Sequence, residues 1–524
     1  MAGTLLSIGK MFCEKLSSMT LGQSTGVALV GLDGQLVTIE VDIADGLPGY
    51  VLLGLPDAAL TESRDRVRSA LVNSSESWPN RKVTVSLSPA WLPKSGSSFD
   101  LPIAIALLAA QQMLPDVRSI GTLFLGELAL DGNIRGVRGV LPSLIAAHKE
   151  GISTAVVPWA NRQEAQLMTE MTIIPMVHLR QLLRWLRLGE LDEMPELDIP
   201  LPVDEQIFDY ADVAGQSKAR LAAEVAAVGG HHLLLIGPPG AGKTMIAQRL
   251  PGILPTLSRE ESLEVTAIHS IVGGLNSRSP MATRAPFVAP HHTATRVSMV
   301  GGGSHTIKPG ACSLAHRGVL FVDEAPECGS GVLDSLRQPL ESGSITIARA
   351  IGSVSYPARF LLILAANPCP CGKFAGRGRS CLCSSQQVRR YLGKLSGPLM
   401  DRIDMRVQVD PLGRVELMQA ALGESSEVIQ KRVISARHIA AERFRTQKWS
   451  LNSEIPSRAL RTTYQPERMA MNFLHNELDR ERITARGLHK VMRTAWSLAD
   501  LAEHPRPTLA DTEMAYLLRE GVES

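Results

Sequence analysis

Gly237-Pro238-Pro239-Gly240-Ala241-Gly242-Lys243-Thr244 is a complete P-loop sequence, and it decides how the chain around it folds. It follows the apolar residues 233–236 and precedes a helical pattern that runs to Leu250. The glycines let backbone N–H groups converge on phosphate oxygens, and the helix points its positive end at the same place. Lys243 is therefore predicted to reach the β- and γ-phosphates of ATP, and Thr244 to ligate Mg²⁺. A glycine-rich turn that matches the pattern by chance is the alternative.

The chain has 524 residues and a formal net charge of +2. This length predicts two to four domains, and the near-neutral charge excludes a protein that binds nucleic acid simply by being basic. The apolar runs are shorter than the ~18 residues of a membrane span, and the N-terminus lacks the pattern of a secretory signal. We therefore expect a cytoplasmic protein without a membrane segment, whose seven cysteines are reduced.

Shifts in the sequence pattern divide the chain into four segments. Residues 1–187 alternate short strands and helices, and residues 188–208 are an acidic, proline-bearing linker. Residues 209–411 alternate strands and helices as a parallel sheet requires, and residues 412–524 are helical. The predicted fold class is α/β, with a P-loop parallel-sheet domain preceded by an α+β domain and followed by a small helical domain.

A second apolar stretch, residues 319–322, ends in Asp323 and Glu324. Hydrolysis of ATP needs acidic side chains at the end of a strand near the P-loop, where they reach both the metal and the attacking water. This Walker B pattern assigns Asp323 to Mg²⁺, through water, and Glu324 to orienting and deprotonating the attacking water. The alternative is a buried strand that ends in a solvated acidic turn.

A third apolar stretch, residues 360–366, ends at Asn367. This is the place of a sensor 1 asparagine, whose side chain lies between the two nucleotide strands and helps to position the water. Taken alone, Asn367-Pro368 is only a turn initiator. The order of P-loop, Asp-Glu and strand-Asn favours the catalytic interpretation.

Two arginines are candidates for neutralising the charge that builds up during phosphoryl transfer. Arg402 is the candidate finger that acts on the ATP of a neighbouring subunit. Arg486, at the head of a C-terminal helix, is the candidate sensor 2, and Arg493 is its rival. A surface arginine paired with an aspartate is the alternative for each of them, and the available partners are Asp401, Asp404 and Asp500.

Four further short segments, here called phrases, carry a family resemblance: residues 289–293, 301–304, 313–318 and 336–341. Together with the motifs above, these phrases resemble the magnesium-chelatase-related AAA+ proteins. Within that group, they are most similar to the ComM/YifB family. The resemblance covers nearly the whole chain. It implies a ring-forming ATPase, a homo-hexamer, that acts on single-stranded or branched DNA as a branch-migration helicase in homologous recombination during natural transformation. It also implies pore-lining loops near residues 268–305 and 344–355, where Lys308 and Arg349 are either phosphate contacts or solvated surface bases.

Four cysteines directly after the third strand form two close pairs, Cys369 with Cys371 and Cys381 with Cys383. Two such pairs can converge on one tetrahedral Zn²⁺, although the C-x-C spacing is tighter than the usual C-x2-C. Reduced structural thiols or a labile redox pair are the alternatives. Basic residues surround the cluster and are either a DNA-contacting surface or a solvated face: Lys373, Arg377, Arg379, Arg389 and Arg390.

The N-terminal segment resembles the proteolytic domain of Lon proteases, and Ser98 matches the catalytic serine of that family. A serine needs a base to become a nucleophile. The position that matches the family's catalytic lysine is Leu141, which cannot take a proton, so we expect a Lon-like domain without peptidase activity. Two other functions remain as hypotheses: an ATP-dependent peptidase using Ser98, and a chelatase-like ATPase that remodels a protein or assists metal insertion. The metal-ion-dependent adhesion domain that a chelatase partner subunit usually carries is not found in this sequence.

Overall fold

A computed structural model describes residues 21–94, 96–191, 208–275, 280–303, 307–349, 352–374, 381–411 and 423–520. The strands of its N-terminal part are β1 (Leu21–Val30), β2 (Asp33–Ala44), β3 (Gly49–Leu53), β4 (Lys82–Ser88), β5 (Thr122–Phe124), β6 (Glu127–Leu128), β7 (Ile134–Arg135), β8 (Thr154–Pro158) and β9 (Thr172–Met176). Its helices are α1 (Ala58–Thr61), α2 (Ser63–Asn73), α3 (Asp100–Ala110), α4 (Asp116–Ser119), α5 (Val140–Lys149), α6 (Arg162–Ala165) and α7 (Leu179–Leu188).

A mixed seven-stranded sheet organises this N-terminal part, in the spatial order β3-β4-β2-β1-β5-β8-β9. β1 and β2 form a long antiparallel hairpin whose register runs from Leu21 opposite Asp42 to Val30 opposite Asp33. The apolar helix α3 lies against β1, and a Cβ on Gly22 would lie only 2.1 Å from the carbonyl oxygen of Ala106. The expected α+β domain is therefore built around a helix that the glycine allows to approach the sheet.

The central part carries a five-stranded parallel sheet. Its strands are β10 (Leu233–Ile236), β11 (Phe287–Val288), β14 (Val319–Val322), β17 (Leu361–Ala366) and β18 (Met405–Gln408). Two further two-stranded sheets belong to this part: β12 (Gly301–Gly302) pairs with β13 (Lys308–Pro309), and β15 (Ser344–Arg349) pairs with β16 (Gly352–Pro357). The order in the sheet is β11-β14-β17-β10-β18. β14 and β17 are buried along their whole length, as strands covered by helices on both faces must be.

The helices of the central part are α8 (Ser217–Gly229), α9 (Lys243–Arg249), α10 (Arg259–Val272), α11 (Arg296–Val300), α12 (Ala311–Leu314), α13 (Ser330–Asp334), α14 (Arg337–Ser342), α15 (Ser385–Leu392) and α16 (Gly397–Met400). The C-terminal part is helical, as predicted, with α17 (Ser426–Arg443), α18 (Ser457–Thr462), α19 (Arg468–Asp479), α20 (Ala485–Leu501) and α21 (Leu509–Glu520). An apolar stripe along α17 and the residue after it is buried: Ile429, Val433, Ala436, Ala440 and Phe444. The segment 412–422 lies outside the described residues. No helix among the described residues is long and apolar enough to cross a membrane.

The N-terminal part is joined to the central part at two places. The turn between β1 and β2 touches the β15–β16 hairpin, since a Cβ on Gly31 would lie 2.3 Å from Cγ1 of Val354. On α10, the hydroxyl of Ser270 donates to Oε1 of Glu164 at 2.5 Å, and both side chains are buried. The N-terminal part therefore rests on two segments of the central part that precede β14 and β17 in the chain.

A buried polar cluster joins the central sheet to the C-terminal helices. Asp404 accepts from Nζ of Lys490 at 2.6 Å and from the backbone N–H of His232 at 2.9 Å. Nδ1 of His232 accepts from the backbone N–H of Leu362 at 3.1 Å, and Nε2 of His231 lies 2.7 Å from the hydroxyl of Ser497. Burial lowers the pKa of each histidine from 6.5 to about 4.

This cluster predicts that the folded protein loses stability as the pH falls from 6.5 towards 4. The unfolded chain takes up protons on His231 and His232 in that range and the folded chain does not, so each histidine contributes a slope of up to about 1.4 kcal/mol per pH unit. Chemical denaturation across this range should show a smaller slope for His232→Asn, which keeps an acceptor for Leu362. His475→Asn, on the exposed face of α19, is the matched control. A wild-type slope in His232→Asn would contradict this assignment.

Candidate active site

The P-loop connects β10 to α9, which is where the sequence predicts it. Gly240 and Gly242 have φ angles of +78° and +93°, in the left-handed region that glycine adopts without strain. A Cβ on either residue would meet no atom within 4 Å, so the loop faces open space. At its first residue the loop is tightly packed, because a Cβ on Gly237 would lie 2.2 Å from the carbonyl oxygen of Val409. The loop is thus anchored at one end and open where phosphates are expected.

Lys243 is 7% exposed, and its ammonium group is held inside the loop. Nζ donates to the carbonyl oxygens of Gly237 at 2.6 Å and Pro238 at 3.0 Å, and to Oδ1 of Asn367 at 3.2 Å. Burial lowers the pKa of this lysine, and the charges of Asp323 and Glu324 oppose that effect. All three N–H bonds of the ammonium therefore have acceptors within the loop and at the end of β17.

Thr244 and Asp323 meet across the sheet. The Thr244 hydroxyl donates to Oδ2 of Asp323 at 2.9 Å, and the backbone N–H of Glu324 donates to Oδ1 at 2.9 Å. Magnesium prefers hard oxygen ligands, and it is usually held by few protein groups together with water and substrate phosphates. A hydroxyl and a carboxylate, adjacent to open glycines, fit that requirement.

Glu324 has a φ of +47°, which is unusual for a residue with a side chain. The side chain is 47% exposed, and Oε2 lies 3.5 Å from Nδ1 of His292. The rings of His291 and His292 lie 4.0 Å apart. Glu324, the general-base candidate, therefore lies beside His292. This contact was not predicted from the sequence, although His292 belongs to one of the phrases typical of the family, residues 289–293.

Asn367 follows β17, and β17 lies between β10 and β14. This order places the amide between the P-loop strand and the Walker B strand, where it contacts Lys243. Gln216 is a second residue that sequence analysis missed. Its φ is +53°, and Nε2 donates to the carbonyl oxygens of Ala241 at 3.1 Å and Asp410 at 2.6 Å. It thereby ties the P-loop to the end of β18.

The P-loop lies at the edge of the sheet that the carboxyl ends of the strands form, and Arg402 of the same chain lies at the opposite edge, formed by their amino ends. Two residues later, the backbone N–H of Asp404 donates to the carbonyl oxygen of His232, directly before β10, whereas the P-loop follows β10. A four-residue strand separates the two edges by ~13 Å. The guanidinium of Arg402 pairs with Glu341, and its Nε has no hydrogen-bond partner among the described residues.

Arg486 lies at the same edge as Arg402. Nη1 donates to Oδ2 of Asp401 at 3.0 Å, and the side chain is 79% exposed. This is the aspartate pairing that the sequence left open as an alternative. Arg493 instead donates from Nε to the carbonyl oxygen of Ile455 at 2.8 Å. Among the described contacts, neither arginine reaches the P-loop of its own chain, and the sensor 2 role of Arg486 stays a prediction.

Comparisons with known proteins agree with this geometry. Three family models match: magnesium chelatase subunit ChlI over residues 209–417, subunit ChlI of Mg-chelatase over residues 39–161, and the ChlI C-terminal model over residues 423–519. An uncharacterized protein of Mycobacterium tuberculosis is 50% identical over 96% of this chain and 99% of its own length. YifB of Salmonella typhimurium is 40% identical and competence protein ComM of Haemophilus influenzae is 39% identical, each over 90% of this chain and 92% of the relative.

The chain belongs to the ComM/YifB family of magnesium-chelatase-related AAA+ proteins. Membership implies an ATPase that uses ATP and Mg²⁺, and the P-loop, Asp323 and Thr244 fit both. A Lon protease of Brevibacillus choshinensis is 24% identical over 176 residues, which is 31% of this chain and 22% of that protein. The similarity to Lon proteases is therefore partial.

In this member of the ComM/YifB family, the contacts of the described residues show no base at Ser98. Among the described residues its hydroxyl has no hydrogen-bond partner, and Leu141 is buried, with its backbone N–H donating to Oε1 of Glu164 at 2.8 Å. Lys94 is also buried, and its Nζ donates to the carbonyl oxygens of Leu87, at 3.0 Å, and of Pro89. Its amine is thus directed at these two carbonyl oxygens, and burial lowers the pKa of Lys94.

The elements that the family resemblance assigns to the pore are in part described. β15 and β16 form the hairpin near residues 344–355, and Lys308 is exposed on β13. Arg349 is the last described residue of β15. Around the cysteine cluster, Lys373, Arg389 and Arg390 are exposed, and Arg377 and Arg379 lie outside the described residues. Near the first predicted pore loop, residues 276–279 and 304–306 also lie outside the described residues.

The cysteine pairs converge. The sulfur atoms of Cys369, Cys371, Cys381 and Cys383 all lie within 4.8 Å of one another. The separations are 3.3 Å between Cys369 and Cys371, 3.6 Å between Cys369 and Cys381, and 3.7 Å between Cys371 and Cys381. All four thiols are unpaired.

Proposed function

We propose that the protein is an ATP-dependent DNA motor: a cytoplasmic homo-hexameric branch-migration helicase for the recombination of incoming DNA during natural transformation. The observation that carries the proposal is the division of the site. The P-loop, Asp323, Glu324 and Asn367 lie at one edge of the sheet, and Arg402 lies at the other. The 39% identity to competence protein ComM of Haemophilus influenzae supports the biological role.

A site divided in this way is complete only between two copies of the chain. The edge that carries Arg402 must face the P-loop edge of the next subunit, which is a head-to-tail contact, and repeated head-to-tail contacts close into a ring. In that ring, release of Arg402 from Glu341 would allow its guanidinium to reach the γ-phosphate of the neighbour. Movement of Arg402 would then couple the nucleotide state of one ATP site to that of the next subunit.

Within each site the chain's own residues divide the work. Backbone N–H groups of the loop and Lys243 bind the phosphates, because the ammonium exchanges its carbonyl partners for phosphate oxygens. Glu324 accepts a proton from the attacking water, and Asn367 orients that water beside Lys243. Bound Mg²⁺, near Thr244 and Asp323, supplies charge neutralisation on the phosphates.

The test is whether DNA stimulates ATP hydrolysis by the purified protein. We expect single-stranded or four-way junction DNA to raise kcat at least several-fold over the basal rate, because a motor couples turnover to its track. Branch migration of a labelled junction should require ATP and should be absent in Lys243→Ala. A rate that no DNA structure changes would contradict the motor and favour the second candidate, an ATPase that remodels a protein or metal-insertion partner, which the three chelatase models support.

A further inference from the structure

We propose that Cys369, Cys371, Cys381 and Cys383 bind one Zn²⁺, which holds the loop after β17 against the P-loop and so positions Asn367. The metal site stands on the geometry of the four thiols alone. The positioning role rests on the proposed ATPase.

Three of the sulfur separations match those of ligands around one ion, and the sulfur of Cys383 lies within 4.8 Å of the other three. A tetrahedral zinc with Zn–S bonds of about 2.3 Å places its sulfur atoms about 3.8 Å apart. The separations of 3.3, 3.6 and 3.7 Å are close to this value, and none is near the ~2.05 Å of a disulfide. An iron–sulfur cluster divides its cysteines among several irons and holds them farther apart. The tight C-x-C spacing is therefore compatible with a single ion.

The chemistry of the four side chains also selects the ion. Thiolate sulfur is a soft ligand, so four cysteine sulfur atoms within 4.8 Å of one another favour Zn²⁺ over a hard cation that prefers oxygen ligands.

The cluster is in contact with the ATP site. Cys369 is fully buried two residues after Asn367, and the backbone N–H of Gly372 donates to its carbonyl oxygen at 3.0 Å. Gly372 has a φ of +71°, and a Cβ there would lie 2.7 Å from Cδ of Pro239 in the P-loop. An ion that fixes this turn therefore fixes the distance between the sensor asparagine and the phosphate-binding loop.

The experiment measures metal and activity separately on the full-length protein, purified under reducing conditions with Zn²⁺ present. Elemental analysis should find one zinc per chain, and Co²⁺ exchange should give the visible absorption of a tetrahedral thiolate site. Cys371→Ser and Cys381→Ser should lose the metal, whereas Cys312→Ala, a buried cysteine outside the cluster, should keep it. In the metal-free variants we expect kcat for ATP to fall about tenfold or more, with little change in nucleotide affinity, because Asn367 is misplaced rather than removed.

The outcomes test the zinc site and its role in positioning Asn367 separately. Wild-type protein without zinc or a cobalt spectrum, with bound iron, or with the thiols joined as disulfides by mass spectrometry, would overturn the zinc site. Metal-free variants that hydrolyse ATP at the wild-type rate would overturn the positioning role. If zinc is bound at one per chain and the wild-type protein hydrolyses no ATP, it is the proposed function that fails and the metal site that stands.

Discussion

Glu324→Gln is expected to slow steady-state ATP hydrolysis by about 10²- to 10⁴-fold, with or without DNA, because an amide cannot accept the proton of the attacking water. Nucleotide binding should persist, since Glu324 does not contact the P-loop lysine, whose partners are carbonyl oxygens and Asn367. Binding of a fluorescent ATP analogue, measured beside phosphate release, distinguishes the two effects. The protein should also keep its thermal stability, because the carboxylate is half exposed and has one partner at 3.5 Å.

Glu327→Gln provides a matched control three residues away. Glu327 is exposed, and Oε2 lies 3.5 Å from Nζ of Lys394, so its loss should leave the rate near the wild-type value. His292→Ala should have an intermediate effect, because it releases the carboxylate of Glu324 without removing it. A Glu324→Gln rate within about threefold of wild type would show that another group activates the water.

Arg402→Ala is expected to lower kcat by about 10³-fold or more, which is the contribution of an arginine finger to phosphoryl transfer. The variant should still fold and bind ATP, because its guanidinium lies at the far edge of the sheet and pairs with Glu341. The exposed Arg81, in the N-terminal part, serves as the control through Arg81→Ala. Steady-state ATPase measurements at saturating ATP and DNA are sufficient.

Mixing two inactive variants tests whether Arg402 acts on a neighbour. Subunits with Lys243→Ala lack a working P-loop but carry Arg402, and subunits with Arg402→Ala carry the intact P-loop. Random assembly into a ring should make about a quarter of the interfaces complete, and activity should reappear on mixing. Mixtures that stay inactive, although the variants co-assemble by size-exclusion chromatography, would contradict action between subunits.

Much of the central domain could be predicted because its signals are local. The apolar stretches that end at Gly237, Asp323 and Asn367 are strands in the structure, and their functional side chains meet because parallel strands share an edge. The helical character predicted for residues 412–524 is likewise observed, as α17 to α21, over the described residues 423–520. Local periodicity does not determine where each of these helices begins and ends.

The contacts that adjust the site could not be predicted from the sequence. The pair Arg402 with Glu341 joins residues 61 positions apart, and the pair Glu324 with His292 joins residues 32 positions apart. They depend on the order of the strands, which is not the order of the chain. The role of Gln216 likewise required a backbone conformation that glutamine rarely adopts.

The contact between Gly31 and Val354 links the motion of two parts of the molecule. Because the β1–β2 turn touches the β15–β16 hairpin, and Glu164 binds Ser270 on α10, a displacement of either segment would be passed on to the N-terminal domain. If the hairpin moves during ATP turnover, this domain is expected to move with it. Leu47, which is 90% exposed between β2 and β3, is then a place to attach a dye that reports the displacement.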